Sequence, residues 1–202
     1  MTRRGVFLIN DTSVSGHPGC VTVMAVIRRQ LEVRGLSVSG RWPMGAEPQL
    51  GLAMAPALRQ AAAIIVNGEG TLHNTLTRPG ARRLLQSIKR AHAASPAPIY
   101  LLNATIENLR AKDFDVLRLC RGVFLRDSGS CRYAASHGVA ASFVPDLCFA
   151  ASTPVAAAQG RLIVTDSALP EVSAKLRQRS EAIGARYLPM QPSRLRSLMR
   201  WA

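Results

Sequence analysis

The sharpest chemical signal in the sequence is the run Asn67-Gly68-Glu69-Gly70-Thr71-Leu72-His73. Two glycines beside a strand end let the backbone turn tightly and come close to a ligand. Glu69 brings a carboxylate that would repel phosphate but suits sugar hydroxyls or the amides of its own loop. His73 can serve as a general acid or base near neutral pH, or pack against the sheet edge as a structural side chain. The run is not a dinucleotide fingerprint. His73 stands where the third glycine belongs, and no acidic strand-end residue follows about 20 positions on. A second cluster, Gly16-His17-Pro18-Gly19-Cys20, precedes a helix, whose first amides attract anions and depress the pKa of a thiol that faces them. The competing reading of Cys20 is a small side chain filling a helix–sheet junction. Arg126 offers a fork that can hold a carboxylate or phosphate through two bonds, or pair with Asp127 or Asp146.

These residues need elements to hold them. Short apolar runs at 6–10, 36–40, 63–66, 98–103, 122–126 and 141–144 alternate with helical patterns at 20–34, 54–62, 78–93, 113–119 and 128–137. That alternation predicts βαβ units and an α/β fold: a doubly wound, mainly parallel, Rossmann-like sheet. In such a sheet ligands bind beyond the carboxyl ends of the strands. The polar groups gather there: Asn10-Asp11-Thr12, Asn67 to Thr71, Asn103-Ala104-Thr105, Arg126-Asp127-Ser128 and Pro145-Asp146. Each alone fits an Asx turn or a helix cap; together they predict a ligand-facing rim. Its candidate catalytic residues are His73, Glu69 and Arg126. Its candidate substrate-binding residues are Asn10, Asp11, His17, Asn67, Gly68, Gly70, Thr71 and Asn103. This first domain spans residues 1–149. Residues 150–160, uncharged and aperiodic, read as a linker. Residues 161–202 begin a second α/β unit with a strand at 161–165, a helix at 170–183 and a strand near Tyr187. A piece of about 40 residues cannot enclose its own core, so the second domain reads as truncated, with apolar surface left uncovered.

Composition narrows the classes. The chain has 202 residues and a net charge of +14, carried by 23 Arg against 3 Lys. With abundant alanine, that ratio fits a GC-rich coding bias; it also suits attraction of anionic substrates. No basic run interleaved with aromatics and no zinc-finger or RNP pattern occurs, so nucleic acid is not the expected partner. The cysteines Cys20, Cys120, Cys131 and Cys148 form no CxxC pair, which predicts reduced thiols and no metal; no cofactor is expected. The apolar run after Arg3-Arg4 is too short for a signal peptide, and no stretch approaches the roughly 18 apolar residues of a membrane span. The expected location is the cytoplasm.

The motifs, in this order, resemble the polysaccharide pyruvyl transferase family. The matching stretches are Ile9-Asn10-Asp11-Thr12, Gly16-His17-Pro18-Gly19-Cys20, Val66 to His73, Leu102-Asn103-Ala104, Arg126-Asp127-Ser128 with Ser130, and Val144-Pro145-Asp146-Leu147. Thr165-Asp166-Ser167 and Leu188-Pro189-Met190 look like the start of the family's second half. The resemblance implies two Rossmann-like domains in a glycosyltransferase-B-like arrangement with the site between them. It implies transfer of a pyruvyl group from phosphoenolpyruvate to a sugar or lipid-linked glycan of an envelope or exopolysaccharide precursor. In that chemistry Arg126 holds the donor's anionic groups, and His73 or Glu69 fills an acid or base role. The alternatives are a nucleotide-sugar-dependent glycosyltransferase-like enzyme and a non-catalytic remnant completed by a partner chain or a second copy. The early end of the chain predicts that residues 1–202 alone do not catalyse pyruvyl transfer.

Overall fold

The computed structural model describes residues 4–45, 55–70, 72–151, 160, 162–167 and 169–190. Its first unit is built from β1 (Arg4–Asp11), α1 (Pro18–Glu32), β2 (Leu36–Pro43), α2 (Ala55–Arg59), β3 (Ala63–Asn67), α3 (Pro79–Ala94), β4 (Ile99–Ala104), α4 (Ala111–Leu117), β5 (Gly122–Leu125), α5 (Ser128–Ser136) and β6 (Ser142–Phe143). The six strands form one sheet in the order β2-β1-β3-β4-β5-β6, and every pairing is parallel. This is the doubly wound α/β architecture expected from the alternating pattern.

The apolar runs dictate how the layers close. Val6 and Leu8 face one side of the sheet and pack with Val23, Met24, Ile27 and Leu31 of α1. Phe7 and Ile9 face the other and join the larger core, which takes in side chains of α2, α3, α4 and α5. A central parallel strand buried on both faces must be apolar at every position, which is why the sequence from Val6 to Ile9 shows no alternation. In α3 the buried residues Ala81, Leu84, Leu85, Ile88 and Ala91 recur at helical spacing, so burial fixes which face of that helix is turned outward. Helix starts are also written locally. Pro79 stands in the first turn of α3, and Asp127 caps α5 by accepting from the Ser130 amide at 2.7 Å.

Some element bounds differ from expectation for tertiary reasons. β2 runs three residues further, to Pro43, because Arg41 and Trp42 pair with Leu8 and Ile9, and Trp42 packs edge-on against Phe7 at 5.5 Å. α2 is only Ala55–Arg59, and β6 only Ser142–Phe143.

A separate two-stranded parallel sheet follows, formed by β7 (Ile163–Thr165) and β8 (Arg186–Leu188) with α6 (Pro170–Ala182) between them. Leu162, Ile163, Leu169, Ile183 and Leu188 are exposed there, and Ser180 is the one fully buried residue of α6. Most of the expected linker (152–159) and residues 191–202 of the expected second unit lie outside the described residues. No helix among the described residues is long and apolar enough to cross a membrane.

Candidate functional site

The strand order reverses between β1 and β3: the chain moves from β1 out to β2, then returns past β1 to build the rest of the sheet. A reversal of this kind opens a crevice at the carboxyl ends of the two diverging strands. The loops that leave β1 and β3 there are the ones singled out by residue type.

The crevice is stitched by a buried polar lattice. Asn10 ends β1 with φ 64°, a left-handed conformation that asparagine tolerates better than most residues. Its Nδ2 donates to the Asn67 carbonyl at 2.6 Å. Asn67 in turn donates to the Thr12 hydroxyl at 3.0 Å, while its side-chain oxygen accepts from the Glu69 amide at 3.2 Å. The Thr12 hydroxyl then donates to Glu69 Oε2 at 2.9 Å. Glu69 is thereby set over the amino end of α1, where a Cβ built on Gly19 would lie 3.9 Å from Oε1. The α1 amides favour negative charge at that place. His17 caps the same helix, its Nδ1 accepting from the Gly19 amide at 3.2 Å.

Asp11 is fully buried, and its carboxylate is engaged within the protein. Oδ2 accepts from Arg28 at 2.7 Å and Arg41 at 2.6 Å, and Oδ1 from the Ser13 amide and hydroxyl. Burial pushes this carboxyl up, but the Ser13 and Arg41 hydrogen bonds and the Arg28 charge outweigh it and hold it below 3.8. Asp11 therefore shapes the loop after β1 from beneath, while Glu69 presents the partly exposed carboxylate.

On the neighbouring strand, Asn103 also adopts a left-handed conformation, φ 60°. Its Oδ1 accepts from the Leu147 amide at 3.0 Å. Its Nδ2 is buried and has no acceptor among the described residues, although only 4% of Asn103 is exposed. A buried amide donor left without an acceptor costs about 1–3 kcal/mol, which an oxygen of a bound molecule would recover. Gly68 donates to the Leu102 carbonyl at 2.7 Å, so Glu69 and Asn103 leave adjacent, hydrogen-bonded strand ends.

Arg126 lies further along the same edge. Its Nε donates to Thr105 at 2.8 Å and Nη1 to Asp146 at 2.8 Å. The pairing with Asp146 fixes the fork and offsets part of its charge, and Nη2 has no partner among the described residues. Asp127 is used differently: it caps α5 and accepts from Ser130 and Thr105.

His73 sits beyond the loop, its backbone bridged to that of Glu107 and its two ring nitrogens approached by the Arg78 guanidinium. Burial, then the Arg78 charge, lowers its pKa from 6.5, so it is a neutral imidazole at pH 7. Gly70 has φ 61° and supplies the turn between Glu69 and His73. Thr71 lies outside the described residues.

The thiols near the crevice are protonated. Burial raises Cys20 above 9.0, with the Glu69 charge adding to the effect, and pushes Cys148 up to about 11. The four cysteines are free thiols. Ellman's reagent should accordingly label all four slowly at pH 7 in the folded chain and rapidly in denaturant. Fast labelling of Cys20 before unfolding would contradict its protonated, half-buried state.

Thr12 belonged to the predicted rim without a role of its own, and its hydroxyl positions Glu69. The arginines along α3 were not singled out, because they vanished into a uniformly arginine-rich composition. No protein-family model matches the chain, and no curated protein matches it either.

Proposed function

We propose that the protein is a sugar-modifying transferase of the polysaccharide pyruvyl transferase type, with this sheet edge as one wall of its site. The observation that carries the reading is the pair of groups at adjacent strand ends. Glu69 is an anchored acceptor for a hydroxyl proton, and Asn103 Nδ2 is a buried donor awaiting an oxygen. A carboxylate and an amide donor carried by adjacent strand ends are what a sugar hydroxyl asks for, since it both donates and accepts.

In this reading the acceptor's hydroxyl gives its proton to Glu69 as its oxygen bonds to C2 of phosphoenolpyruvate, while C3 takes up a proton and becomes a methyl group. A second hydroxyl of the same sugar then displaces inorganic phosphate, leaving a pyruvate ketal. Of the two protons lost by the hydroxyls, one is accounted for in the methyl group and the other leaves with phosphate or solvent. The free Nη2 of Arg126 faces the donor's carboxylate or phosphate. Neutral His73, steered by Arg78, is the acid or base on the other side of the loop.

The test uses the full chain. Phosphoenolpyruvate should raise its melting temperature, and saturation-transfer NMR should detect binding of members of a hexose panel. Glu69→Gln and Asn103→Ala should each weaken hexose binding by about tenfold. Stabilisation by uridine diphosphate sugars with no response to phosphoenolpyruvate would replace this reading with a glycosyltransferase-like one.

A further inference from the structure

A cavity of about 360 Å³ opens on the face of the sheet opposite the crevice over α1. It lies between the carboxyl ends of β1 and β2 and the exposed flank of α3. Gly80, Arg83, Ser87 and Arg90 fall at helical spacing along that flank and line it, together with Arg78 at the helix start. Leu84, Ile9 and Trp42 form an apolar floor. Among the described residues the lining holds three arginines and no carboxylate, and neither Arg83 nor Arg90 has an acidic partner. The first turn of α3 has no side-chain cap, so its amides add to the positive field. The indole N–H of Trp42 is buried and without an acceptor among the described residues.

Three like charges gathered around one concavity repel each other, and unsatisfied donors add to that cost; an anion relieves both. The apolar floor excludes a bare ion as the best-fitting occupant, since it offers a planar or apolar body surface to bury. The geometry points to a binding site for a small phosphorylated molecule, its phosphate held between Arg83 and Arg90 and its apolar body laid against Trp42 and Leu84. This assignment rests on the arginine-lined cavity and not on pyruvyl transfer, although the cavity shares Asn10, Gly70 and Arg78 with the candidate site beside it.

Trp42 reports binding directly. In a Trp201→Phe chain it is the sole tryptophan, and phenyl phosphate should quench its fluorescence on excitation at wavelengths the phenyl ring does not absorb. Phenyl phosphate should bind about tenfold more tightly than inorganic phosphate, because the ring is buried as well. Arg83→Gln and Arg90→Gln should each weaken phenyl phosphate by about tenfold. Both arginines are exposed, so the chain keeps its core in either variant. Arg132→Gln, which removes an exposed arginine from α5, should leave the affinity unchanged. The proposal is overturned by absence of quenching, by equal affinity for the two phosphates, by indifference to Arg83→Gln and Arg90→Gln, or by an equal loss in Arg132→Gln, which would mark attraction to the net charge alone.

Discussion

Gly68→Ala should lower the melting temperature by roughly 5–10 °C, the shift that about 2–3 kcal/mol of overpacking produces in a chain of this size. A Cβ at position 68 would stand 2.4 Å from the Ala104 Cβ, 3.0 Å from its Cα and 3.1 Å from a Leu101 methyl. Two of those neighbours are the backbone and first carbon of a buried strand, not the end of a flexible side chain. Relief therefore requires β3 and β4 to part where Gly68 donates to Leu102 at 2.7 Å. The glycine is required for contact, not for a special dihedral, and that makes the prediction specific. Ala104→Gly in the same chain removes the closest atom and should recover part of the loss, a coupling that a double-mutant cycle by calorimetry would expose. A single variant melting within about 1 °C of the parent would mean that the strands have slack at this point. Because residue 68 sits between Asn67 and Glu69, any parting of the strands also displaces the Glu69 carboxylate.

How far the sequence revealed this architecture depends on the kind of interaction that built each part. β1 and β3 were legible because a strand covered on both faces has to be continuously apolar, and Val6–Ile9 and Ala63–Val66 are. α3 was legible because its buried positions follow the helical period. The far end of β2 was not. Arg41 and Pro43 carry no strand signature, and residues 41–43 are extended because β1 provides an edge to pair with and Phe7 a ring for Trp42 to meet. Strand order is likewise a tertiary fact. The alternation predicts a parallel sheet, but the β1/β3 reversal that opens the crevice emerges only from the pairings.

The polar rim at the strand ends was legible at the level of residue type and illegible at the level of use. Asn10, Asp11, Asn67, Glu69, Asn103 and Arg126 do gather at one sheet edge, since each follows a parallel strand. Their division of labour rests on long-range contacts that spacing cannot encode. Asp11 meets Arg28 and Arg41 from two different elements, and Arg126 chooses Asp146 over its sequence neighbour Asp127. The left-handed backbone at Asn10 and Asn103 has a faint sequence signal in asparagine itself, but only the structure shows both at buried strand ends. The α3 arginines carried a helical spacing that was readable in principle; the excess of arginine elsewhere concealed it.

Asp11→Ala should be the most damaging single side-chain truncation at this edge, costing about 2–4 kcal/mol. The carboxylate is 0% exposed and accepts from two guanidiniums, an amide and a hydroxyl, and removing one partner of a buried ion pair is usually worth about 3–5 kcal/mol. Arg28 and Arg41 are 42% and 50% exposed, so they regain water when Asp11 is lost, which moves the expected cost toward the lower end. The same carboxylate shapes the acid limit of the fold. Asp11 is held below 3.8 in the native chain, and so are Asp113, Asp127 and Asp146, each despite the opposing effect of burial. A carboxyl with a depressed native pKa contributes its full stability above the unfolded value and loses it as pH falls through the native one. His73 acts with the same sign but earlier: its native pKa is lowered, so protonation of the unfolded chain begins to erode stability as pH drops through 6.5. Urea unfolding between about pH 8 and about pH 2 should therefore show a shallow decline around 6.5 and a steep one below 3.8. The steep part should be visibly reduced in Asp11→Ala and the shallow part reduced in His73→Gln. If Asp11→Ala lost stability equally at neutral and acid pH, with the steep limb intact, the Arg28–Asp11–Arg41 cluster would not be an ion pair maintained in the folded chain.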